Sequence, residues 1–89
     1  MTPRAFTIVV LATTRDPHRQ AEALRAALGL TLRGARVDVC VHEPLLTPLA
    51  QRAADTLRSF GHRVVTIASE PGSQLSEAIA HADRVEVWT

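Results

Sequence analysis

The chain has 89 residues, 46% of them hydrophobic and 21% charged, with a formal net charge of +1. That is one small domain over residues 1–89, too apolar for intrinsic disorder and too weakly charged for a nucleic-acid or membrane surface. A single cysteine excludes an intrachain disulfide and a cysteine-only zinc site, and no apolar run approaches the roughly 20 residues of a membrane span. The N-terminal Met1-Thr2-Pro3-Arg4 leads into an apolar run without a small-residue cleavage site, so the run reads as a strand and the expected compartment is the cytoplasm. All ten basic residues other than histidine are Arg. The lack of Lys removes Schiff-base chemistry and the phosphate-loop lysine.

Phe6-Thr7-Ile8-Val9-Val10-Leu11-Ala12 is a β-branched apolar run, as in a strand buried on both faces. Thr13 to Asp16 is a polar loop, and Asp16-Pro17 marks a helix start with Asp16 as N-cap. Ala21, Leu24, Leu28, Thr31 and Leu32 then recur at helical spacing. Gly29 interrupts that helix and suggests close packing on a sheet, and Gly34 stands where a C-terminal glycine belongs. Arg36 to His42 alternates, with Val37, Val39 and Val41 on one face and Asp38, Cys40 and His42 on the other.

Glu43 to Leu46 is a loop, and Thr47-Pro48 repeats the cap-then-proline signal. Leu49, Ala53, Leu57 and Phe60 mark an apolar helical face that stops at Gly61. Arg63 to Ile67 is a third strand, Ala68 to Gly72 a loop, and Ser73 a cap for a third helix carrying Leu75, Ala78, Ile79 and Ala82. Arg84-Val85-Glu86-Val87-Trp88 is a fourth, alternating strand. The order β-α-β-α-β-α-β implies parallel strands with right-handed crossovers. Strands one and three are nearly continuously apolar, as central strands are, and strands two and four alternate, as edges do. The expectation is a flavodoxin-like three-layer αβα domain of order 2-1-3-4. Helix one covers one face and helices two and three the other, with the ligand crevice between strands one and three.

The stretch Asp16-Pro17…Ala23-Leu24-Arg25-Ala26-Ala27-Leu28-Gly29…Gly34-Ala35-Arg36-Val37-Asp38-Val39 resembles the DsrE/DsrF-like proteins. The tail Leu75-Ser76-Glu77-Ala78-Ile79-Ala80-His81-Ala82-Asp83-Arg84-Val85 is similar to that family's closing helix and last strand. The resemblance implies a flavodoxin-like fold, assembly into oligomers and, in sulfur-relay members, persulfide transfer through a cysteine after the third strand. Here that region reads Val65-Thr66-Ile67-Ala68-Ser69-Glu70-Pro71-Gly72, without cysteine, so the expected role is that of a non-catalytic subunit or partner in a sulfur-relay-type oligomer.

Two alternatives remain at this level. Cys40 is a weak candidate for a sulfur carrier, placed mid-strand where a packing role is the plainer reading. A small-anion or nucleotide site would draw on Thr13, Thr14, Arg15 and His18 at a helix N-terminus, with His42 and Glu43 on the same rim and Ser69 and Glu70 opposite. The histidines are scattered, no metal spacing occurs, and no cofactor is implied. Three aromatics offer no stacking platform for nucleic acid. A domain this small, ending near an exposed Trp88, is expected to form a homo-oligomer through Trp88 or the strand-two edge.

Overall fold

The computed structural model describes residues 6–42, 45–66 and 72–89. Four parallel strands, β1 (Thr7–Ala12), β2 (Arg36–Val41), β3 (Arg63–Thr66) and β4 (Arg84–Trp88), alternate with three helices, α1 (Pro17–Thr31), α2 (Pro48–Ser59) and α3 (Gly72–His81). The α/β architecture expected from the sequence is present, with its all-parallel four-stranded sheet between helices. The strand order is β3-β2-β1-β4, not 2-1-3-4. β2 is therefore central and β3 an edge.

The physical reason lies in what alternation measures. The polar positions of β2, Asp38 and Cys40, fall on one face while Val37, Val39 and Val41 fall on the other, fully covered. Such a strand reads as an edge, yet Asp38 aligns between Val9 of β1 and Arg63 of β3, and Cys40 between Leu11 and Val65. Alternation reports facial polarity and says nothing about lateral neighbours. β3 is only four residues long, Arg63–Thr66, and a short strand needs no second partner to bury it.

The reversed order also moves the helices. With right-handed crossovers, β1→β2→β3 steps in one direction and puts α1 and α2 side by side on one face; the return from β3 to β4 puts α3 on the other. The core follows from this. Ile8, Val10 and Ala12, with Val37, Val39 and Val41, meet Ala23, Leu24 and Ala27 of α1 and Ala50, Ala54 and Leu57 of α2. Small alanines on both helices let them lie close to the sheet. Burial therefore runs along a stripe shifted from the one the spacing suggested: Leu49 of α2, Phe60 just beyond it and Leu32 beyond α1 stand exposed. Gly29 is exposed too, and a Cβ there would meet nothing within 4 Å, so it marks no close approach to the sheet.

Both long helices begin as their sequences dictate. Asp16 accepts from the amides of His18 and Arg19, and Thr47 from that of Ala50, each ahead of a proline at the first turn. Gly34 and Gly61 follow their helices with φ of 86°, the left-handed conformation that ends a helix at low cost only for glycine. α3 starts at Gly72, so Ser73 lies inside the helix and not ahead of it.

Candidate functional site

In an open parallel sheet, ligands bind beyond the carboxyl ends of the strands, where the strand order reverses. Here the reversal falls between β1 and β4, since β1 leads outward through β2 while β4 returns to its other side. The crevice expected between strands one and three does not exist, because β2 separates them. β3 thus ends two strands from β1. Ser69, Glu70 and Glu43 lie outside the described residues.

At the true switch point the β1–α1 loop is engaged by its own chain. The Thr14 amide donates to the Trp88 carbonyl at 3.0 Å, and the Thr13 hydroxyl donates to the same oxygen at 3.3 Å. Thr14 is 5% exposed, and its hydroxyl accepts from the Asp16 amide at 3.1 Å. Arg19 donates from Nε to the Thr89 carbonyl at 2.7 Å, and its guanidinium lies 5.4 Å from the centre of the Trp88 ring. Trp88 packs on the core cluster. The ring is half-buried within the chain, against the Arg19 guanidinium on one side and the apolar layer on the other.

The α1 N-terminus is the usual anion receptor of such folds. Here the Asp16 Oδ1 accepts from the amides of His18 at 2.8 Å and Arg19 at 3.2 Å. A carboxylate already stands where a phosphate would, and it would repel one. Beside it, Arg15 Nη2 and His42 Nε2 are 3.3 Å apart on the exposed rim, with the His42 amide bound to the Ala12 carbonyl at 2.9 Å. The structure thus brings Thr13, Thr14, Arg15 and His42 together. His18 points elsewhere, to the outer groove between α1 and α2.

That groove has a volume of about 380 Å³. Ala21 and Leu28 of α1 and Leu49 and Ala53 of α2 give it an apolar floor, and Arg25 and Arg52 stand at its margins. Composition and spacing missed it, because it forms only once α1 and α2 share a face.

Cys40 is 4% exposed in the central strand, on the sheet face opposite the main core. On the same face, Asp38 Oδ1 is buried with no hydrogen-bond partner among the described residues. Gln20 is the other polar group that periodicity overlooked. It is fully buried on α1, and its Oε1 accepts from the Leu46 amide at 2.9 Å, tying the segment ahead of α2 to the first helix. Its position on the buried stripe beside Ala23, Leu24 and Ala27 was the available signal. At the opposite rim, His62 Nδ1 accepts from the Val37 amide at 3.2 Å and closes the start of the β2–β3 ladder. Among the described residues no group of His, Cys, Asp or Glu could hold a metal ion, and no helix is long and apolar enough to cross a membrane. No family model matches the chain, and no curated protein or solved structure proves significantly similar to it.

Proposed function

We propose that this chain is a non-catalytic DsrE-like protein, working as a subunit or partner in a sulfur-relay-type oligomer. The observation that supports it best is the burial of the one cysteine: Cys40 is 4% exposed within a strand paired on both sides. A persulfide carrier must present its sulfur to a donor and an acceptor, and a thiol buried on a covered sheet face reaches neither without local opening of the fold. The sequence resemblance of the α1–β2 and α3–β4 regions supports the family. The absence of cysteine after β3 supports the lack of catalysis.

The small-anion or nucleotide reading is the weaker alternative, since Asp16 already occupies the α1 N-terminus and Trp88 and Thr89 take up the neighbouring donors. Treating the native chain with a thiol reagent and with a low-molecular-weight persulfide tests the proposal. Labelling is expected to run about a hundredfold slower than in denaturant, as an opening that costs about 3 kcal/mol implies. Intact mass should show no added sulfur atom. Native labelling as fast as in denaturant, or a persulfide adduct on Cys40, would refute the non-catalytic reading.

A further inference from the structure

β4 is an edge strand whose inner side pairs with β1 and whose outer side pairs with no described strand. Which of its groups face outward follows from one hydrogen bond. The Trp88 carbonyl turns toward β1, where it receives the Thr14 amide at 3.0 Å. Alternation along the strand turns Glu86 and Arg84 the same way, and leaves the amides and carbonyls of Val85 and Val87 directed outward. The side chains of these two valines are also poorly covered. Val85 is 38% and Val87 57% exposed, on the sheet face that α3 crosses. On the opposite face Arg84 and Glu86 form an ion pair at 3.3 Å.

We propose that two copies of this chain associate through antiparallel pairing of their β4 edges, with Val85 opposite Val85 of the partner subunit. The proposal rests on the reading of this protein as an oligomer subunit and names its surface. Charge selects the register. With the two-fold axis at Val85, Arg84 stands opposite Glu86 of the partner subunit and Glu86 opposite Arg84 of the partner subunit. These are non-hydrogen-bonded positions, where Cα atoms approach to about 4.5 Å. Together with the pair inside each chain, the four charges alternate in sign around a ring. Sliding by one pair of residues sets Glu86 against Glu86 of the partner subunit, a like-charge contact that disfavours that register. Val85 exchanges both backbone hydrogen bonds across the axis, and on the other face the two Val85 side chains meet, with Val87 at the flank opposite Asp83 of the partner subunit. The two sheets join into one of eight strands, and the free edge disappears.

Sedimentation equilibrium of the full chain at tens of micromolar tests this. The expected mass is twice 9.7 kDa. Val85→Pro removes only an outward amide that the chain's own ladder does not use, so it should leave the melting transition in place and yield monomer. Arg84→Glu and Glu86→Arg should each weaken association by about tenfold, because each sets like charges opposite one another twice, and the double exchange should restore it. A monomeric wild-type chain overturns the proposal. A dimer that survives both Val85→Pro and Arg84→Glu also overturns it while leaving an oligomer with another interface. The thiol test of catalysis is independent of either outcome.

Discussion

Gly29 shows how little one residue's identity reveals before its surroundings are known. It lies in the last turn of α1 with open space where a methyl group would go and no positive φ. Its cost to the helix is backbone freedom in the unfolded chain with nothing gained in return. Gly29→Ala is expected to raise the stability of the domain by about 0.5–1 kcal/mol, read as a higher denaturant midpoint with an unchanged slope. A loss of stability would mean that α1 sits closer to a neighbour than described. The sequence placed an interruption at this position but not its direction, since a glycine facing a sheet and one facing water are written identically. Gln20 is the converse case. Its polarity suggests solvent, and only the alanines and leucine of its stripe reveal that the position points inward.

Helix boundaries were the most legible part of this chain. A side-chain acceptor followed by proline acts through local geometry alone, and both Asp16-Pro17 and Thr47-Pro48 form caps with the expected partners. Asp16→Ala should cost about 1 kcal/mol, since two amides of α1 lose their acceptor. Urea titration monitored by far-ultraviolet circular dichroism measures it, and a change below about 0.3 kcal/mol would show that solvent replaces the carboxylate without loss. Helical faces were legible only in part. On α2 the spacing of Leu49, Ala53, Leu57 and Phe60 suggested the buried stripe, whereas Ala50, Ala54 and Leu57 are the buried residues. Size misled the assignment: large apolar residues dominate a periodicity count, but α2 lies close over the valine sheet on Ala50 and Ala54 beside Leu57, and leaves Leu49 and Phe60 at the margin.

The order of strands was not legible, because nothing in a strand's own residues encodes which neighbour it takes on each side. Thr13, Thr14, Arg15 and His42 were found because the carboxyl ends of β1 and β2 are neighbours in either order. The pairing of that loop with Ser69 and Glu70 assumed that β1 and β3 are adjacent, whereas β2 lies between them; the two residues themselves lie outside the described residues. Native-state hydrogen exchange reads the order directly. The slowest amides should lie in β1 and β2, Val9, Val10 and Val39 among them, with Val64 and the rest of β3 exchanging faster. A slow set shared by β1 and β3, with β2 fast, would restore the order 2-1-3-4. The observed order also shapes how the sheet can assemble in time. β1 meets β2 across one intervening helix, but its other side closes only when Asp83 reaches the Thr7 amide, 76 residues along the chain. The entropy of closing so long a loop falls on the last step, after the β1–β2 unit has formed. A nascent or partly unfolded molecule should therefore display the bare edge of β1, among its most apolar strands, until β4 docks, and the rate of that docking sets how long the chain is open to mispairing.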